Sequence, residues 1–304
     1  RRQRLFTPAL VIGLLITIGL LLLSLATGQY DVFSAEGFWM FGITRIPRTI
    51  ALVLAGAAMA MCGLIMQLLT QNRFVEPTTT GTTEWAGLGL ILVLWLFPGA
   101  SMLARMSGAV TMAFIGTVIF FLFLQRVTLK SSLIVPIIGI MLGAVVGAVS
   151  TYIAASTNLL QSLSAWRSGG FSSIVQGQYE PLWIVALITL GCVLLADRFT
   201  AAGLGKDIAT GIGVNYERVV LLGTAMVALA TGVTTVVVGF VPFLGLIVPG
   251  AVSLMRGDNT RANLPWVILL GIALLIGCDL IGRVVVAPME LPASVILGAV
   301  GAVA

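Results

Sequence analysis

Residues Gly239–Gly257 read GFVPFLGLIVPGAVSLMRG. The stretch is apolar almost throughout, yet Pro242 and Pro249 interrupt it, Gly245 and Gly250 loosen it, and Arg256 closes it. A proline inside a helix removes a hydrogen bond and kinks the rod. In hydrocarbon, a backbone group freed in this way is tolerated only where protein or a water-filled cavity satisfies it. A membrane segment broken like this belongs to a protein that moves something across.

The composition of the 304 residues agrees: 59% are hydrophobic, 9% are charged and the mean hydropathy is +1.12. A soluble domain carries about 25% charged residues, so the solvent of this chain is the lipid bilayer. The net charge of +5 does not point to nucleic acid, because the basic residues are scattered singly and form no stripe. Cys62, Cys192 and Cys278 stand isolated in apolar runs, giving neither a disulfide framework nor a CxxC metal site. The chain has no histidine, and so lacks the commonest metal ligand and proton shuttle.

About 20 apolar residues cross a bilayer core. By that measure Pro8–Ala26, Thr49–Leu69, Met106–Leu124, Leu133–Ala155, Glu180–Ala196, Val219–Val238 and Leu264–Val286 are spans. Glu84–Phe97 is a shorter, glycine-dotted run, and Gly239–Leu254 is the broken segment. Ala293–Ala304 starts a tenth run that is expected to continue beyond the given end. The first span has no small-residue cleavage site behind it and reads as a retained helix. Gln29–Met40 is a polar-aromatic connector, Thr70–Thr83 a turn, and Ser156–Gln178 a polar stretch with a surface helix around Leu159–Trp166. Gly139, Gly143 and Gly147, four residues apart, make a close-packing face. Met59, Met61 and Met66 read as lipid or helix contacts rather than metal ligands.

With a cytoplasmic N-terminus, the inner loops hold Arg1, Arg2, Arg4, Arg73, Arg126, Lys130, Arg198, Lys206, Arg218, Arg256 and Arg261. The outer loops hold Arg45, Arg48, Arg105, Arg167 and Arg283. This asymmetry obeys the positive-inside bias.

Arg45-Ile46-Pro47-Arg48, Leu54–Ala58, Gly63, Gln67, Asn72 and Glu76-Pro77 resemble the opening of the FecCD family, the permeases of iron-siderophore, haem and cobalamin ABC importers. Further matches follow in family order: Leu204-Gly205, Asp207, Ala209, Ile212-Gly213-Val214, Phe243–Pro249, Gly257, Arg261, Leu264-Pro265, Asp279-Leu280, Arg283 and Glu290-Leu291-Pro292. Arg73 stands where the family has the proline of an Asn-Pro pair, Gly250 where a histidine is usual, and Ser253 where an arginine is usual. The resemblance implies an all-α polytopic permease of about ten transmembrane helices with a broken eighth segment. It implies one permease domain over 1–304, a ferric siderophore ahead of haem or cobalamin as cargo, and a bacterial plasma (inner) membrane location. It also implies a second permease copy or paralogue with the pore between the two, two ATP-binding cassette subunits inside and an extracytoplasmic solute-binding protein outside.

No phosphate-loop motif GxxxxGK[ST] occurs, so ATP and its hydrolysis are assigned to the partner ATPase and no cofactor or metal to this chain. The segment of about 200–218 is too short and polar to cross. It reads either as a solvated loop or, with the resemblance, as the element coupling the permease to the ATPase, carried by Leu204, Gly205, Asp207, Ala209, Ile212, Gly213 and Val214. Ile208, Ala209 and Ile212 would form its apolar face. Arg45, Arg48 and Arg283 are expected to meet carboxylates of the binding protein or to anchor at headgroups.

Glu84 and Asp279 lie at or within apolar runs, where a charge is costly. Thr82, Thr83 and Glu84 are gate or pathway candidates. Glu84 is either a proton-coupled carboxylate or the partner of a nearby arginine or helix N-terminus. Asp279 is set to pair with Arg283 one turn away. The competing reading is an ion-coupled secondary transporter using Glu84 and Asp279 between broken helices. A membrane enzyme lacks any nucleophile–base pair.

Overall fold

The computed structural model describes residues 7–28, 33–127 and 132–303. Arg1, Arg2, Arg4 and Lys130 of the inner basic set, residues 29–32 of the first connector and Ala304 lie outside them.

Fourteen helices follow one another among the described residues, with no strand: α1 Pro8–Ala26, α2 Ala35–Met40, α3 Ile46–Thr70, α4 Thr82–Leu96, α5 Met102–Arg126, α6 Ile134–Ser156, α7 Leu160–Ser168, α8 Leu182–Leu194, α9 Ala196–Ala202, α10 Lys206–Gly211, α11 Tyr216–Val237, α12 Leu244–Arg256, α13 Thr260–Val284 and α14 Ala293–Val303. A π-helical turn, Phe41–Arg45, joins α2 to α3 in one rod. Among the described residues six helices are long and apolar enough to cross a bilayer: α1, α3 with its extension, α5, α6, α11 and α13. The run expected at Glu180–Ala196 is instead two helices, α8 and α9, bent by 63°. Asp197 and Arg198 follow the bend, exposed in the first turn of α9. α4, α12 and α14, of 15, 13 and 11 residues, are shorter than a span.

α3 is the axis of the bundle. Eighteen of its 25 residues are buried, Met59, Met61 and Met66 among them as helix contacts. It packs against α8, α11, α12 and α13. Small residues let the backbones approach: a Cβ on Gly56 would lie 2.9 Å from the Gly271 carbonyl on α13, and one on Gly63 would lie 2.1 Å from the Gly245 carbonyl on α12. The glycine face of α6 works likewise, because a Cβ on Gly139 would stand 2.1 Å from the Thr79 carbonyl. α1 contributes little to the core; Val11, Ile12, Leu15, Ile16, Leu22 and Leu23 are exposed.

Six of the ion pairs among the described residues fall within one or other set of loops, whereas Arg167, expected in the outer set, pairs with Glu84 at the start of α4. Arg73 pairs with Asp258, Arg261 with Asp197 and Lys206 with Glu217, all in the expected inner set. Arg48 and Arg283 pair with Asp279, and Arg48 also with Glu290, at the opposite end.

Candidate functional site

The break is confined to Gly239–Phe243, between α11 and α12, and α12 runs on through Pro249, where an interruption was expected. Beyond the Gly239 N–H bond to Thr235 of α11, distant groups secure it. Gly239 has φ +92°, and a Cβ there would lie 2.4 Å from the Trp166 carbonyl, so only glycine fits. The Phe240 N–H donates to the Trp166 carbonyl at 3.0 Å, and Gly170 N–H donates to the Val238 carbonyl at 3.1 Å. Helix α7 lies at the surface as expected, with Leu160, Gln161, Ser164, Ala165 and Ser168 exposed and Leu163 buried, and the turn after it caps the break.

Phe243 takes a left-handed conformation, φ 62°, and its N–H opens α12. That N–H donates to Glu76 Oε1 at 2.8 Å, and the Thr78 hydroxyl donates to the same oxygen. Glu76 is wholly buried and caps a helix remote from it in sequence, where a carboxylate meets the positive end of the helix dipole. Gln67 Nε2 donates to the Gly245 carbonyl at 3.2 Å. Sequence reading took Glu76 only as part of a motif. Its signal was a glutamate between two apolar runs without a helix of its own to face.

The gate candidates follow directly. Thr82 is buried and belongs to a chain of hydroxyls, with Thr117 Oγ1 at 2.7 Å and Thr80 Oγ1 at 2.9 Å, so its role in this structure is to tie α4 to α5. Thr83 is buried beside Phe240, Pro242 and Phe243 in the wall of a 280 Å³ cavity. Glu84 shares that wall and also faces a second cavity of 440 Å³ beside α6. There its Oε2 lies 3.6 Å from Nη2 of Arg167, at the end of α7. Of the alternatives for Glu84, the structure contains both a partnering arginine and a helix N-terminus, since Glu84 lies in the first turn of α4.

At the opposite end, Arg45, Arg48 and Arg283 converge with Glu290 on a cavity of 630 Å³. None of the three reaches outward alone. Arg45 is buried and donates to the Leu25 and Ala26 carbonyls at 3.1 and 3.0 Å. Arg283 donates from Nε to Asp279 Oδ2 at 2.8 Å and from Nη1 to the Ser24 carbonyl at 2.9 Å. Arg48 donates to Asp279 Oδ1 and to Glu290 Oε2, each at 2.8 Å. The i,i+4 pair of Asp279 and Arg283 is present, and Arg48 is its third member. Asp279 is thereby neutralised twice, which removes it as a ligand for a coupling ion.

The 200–218 segment folds as α9 and α10 with a turn before α11. Its apolar face differs from the expected one. Ala209 is fully buried where α10 packs on α9 and α11, whereas Leu204, Ile208 and Ile212, at four-residue spacing, are exposed. Asp207 and Gly213 are exposed, Gly205 (φ +101°) and Val214 half-buried, and Lys206 bonds Glu217 at 3.1 Å. Nearby, Asp258 is held below the ordinary carboxylate range, first by the hydrogen bond from the Ser253 hydroxyl and then by the Arg73 guanidinium.

Solved structures share this architecture. A metal-chelate-type ABC transporter in an inward-facing conformation superposes with a TM-score of 0.84 over 98% of this chain and 97% of its own, at 21% identity. In sequence, the petrobactin import system permease of Bacillus anthracis is 54% identical over 302 residues, covering 99% of this chain and 90% of that protein. The ferric-anguibactin transport permease of Vibrio anguillarum is 41% identical over 260 residues, covering 86% of this chain and 83% of that protein. The model of the FecCD transport family matches residues 9–304. This multi-pass membrane protein, with its broken segment capped from α7 and Glu76, belongs to the FecCD transport family.

Proposed function

We propose that this chain is the permease subunit of an ATP-driven importer of an iron chelate, a ferric siderophore of the kind its petrobactin relatives are named for. The near full-length likeness to those permeases carries the reading. The chain sits in the bacterial plasma membrane with its N-terminus inside and crosses about ten times, the short helices and the bent α8–α9 pair making up the number beyond the six long spans. It pairs with a second permease, identical or paralogous, and the cargo passes between them. It binds no cofactor of its own and hydrolyses no ATP; two ATPase subunits supply that step.

The 200–218 segment couples to the ATPase through Leu204, Ile208 and Ile212, an exposed apolar row suited to a groove in a soluble partner. The binding protein docks over the outer cavity, where Arg48 offers its outer edge and Arg45 and Arg283 hold that face in place. Thr83 and Glu84 stand at the gate. Reconstitution of the chain with its ATPase and binding protein in vesicles, followed by ATP-dependent uptake of radioiron as ferric petrobactin, tests the reading. Uptake without ATP, driven by an ion gradient alone, would restore the secondary-transporter alternative.

A further inference from the structure

Two ion-paired sites stand out in this chain, and they differ in how firmly they are held. Asp279 is locked between two guanidiniums with 2% of its side chain exposed. The Glu84–Arg167 pair is loose: the charges are 3.6 Å apart, with 29% and 35% of the side chains exposed. Arg167 is nevertheless aimed. Its Nη1 donates to Thr151 Oγ1 at 3.0 Å and its Nη2 to the Gly147 carbonyl at 3.1 Å, both on α6. Gly147 leaves room for this arrangement, since a Cβ there would lie 3.1 Å from Glu84 Oε2 and 3.4 Å from Arg167 Nη2 and press on both side-chain ends. The guanidinium is thus positioned by neutral acceptors, and a guanidinium has further N–H donors to spare. It borders the 440 Å³ cavity, which is floored by Gly143 and Gly147 and flanked by Ala144 and Ala148, so no bulky side chain fills the space before it. Glu84 also borders the neighbouring 280 Å³ cavity against the broken segment.

We infer that Arg167 is a cargo contact that takes an ionised oxygen of the passing chelate in exchange for Glu84. The inference rests on the iron-chelate reading above. Ferric iron is held by ionised oxygen donors, and a guanidinium pairs with such oxygens through charge-assisted, often bidentate hydrogen bonds. A distant, half-exposed ion pair is weak, so replacing one anion by another on Arg167 has a small barrier. Glu84 then returns to Arg167 and leaves no charge unpaired behind the cargo. The pair therefore selects for anionic chelates.

The test uses the full complex in vesicles, with uptake of radioiron-labelled ferric petrobactin measured beside ATPase activity and thermal unfolding. Arg167→Gln, which keeps a donor for α6 but loses the charge, is expected to cut uptake at least tenfold at low cargo concentration, with ATPase activity and unfolding temperature held. Arg167→Lys is expected to keep part of the uptake, and Glu84→Gln, which removes the anion competing for Arg167, to lower the cargo concentration that gives half-maximal uptake. Uptake by Arg167→Gln equal to wild type, or an equal loss in Glu84→Gln and Arg167→Gln, would overturn the cargo contact and leave only a structural pair. Wild-type vesicles that move no radioiron would sink the iron-chelate reading, and this inference with it.

Discussion

The two ends of the molecule carry their charges in opposite ways. At the end where α3 begins, Arg48, Arg283 and Asp279 form a network with 13%, 6% and 2% of their side chains exposed. At the end where α3 stops, Arg73–Asp258, Arg261–Asp197 and Lys206–Glu217 all lie more than half exposed. A buried network is rigid, because removing one partner strands a charge away from water. An exposed pair is worth little and is readily rearranged. The first end is therefore a preformed surface, and the pairs of the second are free to rearrange.

The largest effect should come from the centre of the buried network. Asp279→Ala leaves two guanidiniums facing each other and is expected to destabilise the protein by about 3–5 kcal/mol, read as thermal unfolding in detergent. Glu290→Gln removes only the half-exposed member and should lose far less. Equal losses would erase the contrast between core and rim of the network.

Next come the two faces of α10. Ile208→Arg is expected to abolish coupling of ATPase activity to transport while changing stability by no more than about 0.5 kcal/mol, as exposed substitutions do. Ala209→Arg, by contrast, forces a charge into the core and should reduce the amount of folded protein. A crosslink from Ile208→Cys to the ATPase checks the assignment directly. Failure there, with success from the loop after α5, would move the coupling element.

A smaller effect is expected at the exposed pairs. Arg261→Gln should cost no more than about 1 kcal/mol, and added salt should shrink even that. A loss as large as that of Asp279→Ala would show that the two ends are equally rigid.

The smallest effect is a pH dependence. Because the folded state holds Asp258 below its ordinary value, its contribution is fully present above the ordinary carboxylate range, about pH 4. It fades as pH falls through the lowered value. The stability difference between wild type and Asp258→Asn should thus be flat from neutral pH to about pH 5 and shrink only in stronger acid. A difference that grows on acidification would reverse the assignment.

Much of this was legible in the chain itself. Continuous apolarity over Pro8–Ala26 placed α1 at its observed bounds, since a bilayer span is a local property of length and hydropathy. Gly239 and Pro242 mark the break, because proline and glycine act on their own backbone, whereas Pro249, expected to interrupt the segment, lies inside α12. The four-residue glycine spacing on α6 announced close packing, and Asp279 with Arg283 announced a pair. What no spacing contained was which distant group satisfies the break: the Trp166 carbonyl and the Glu76 carboxylate reach it only because the end of α7 lies against the break and α3 and α12 touch at Gly63 and Gly245. In the same way, Arg167 meets Glu84, and Arg45, Arg48 and Arg283 turn inward, only once the helices are assembled. Ala209 and Ile208 are both small or apolar neighbours in sequence, and only the packing of α10 on the bundle decided that one is core and the other surface. Apolarity tells a residue to leave water, but inside a bilayer lipid and protein are nearly equally apolar. The choice between them was left to shape, hydrogen bonds and charge pairing across the whole fold.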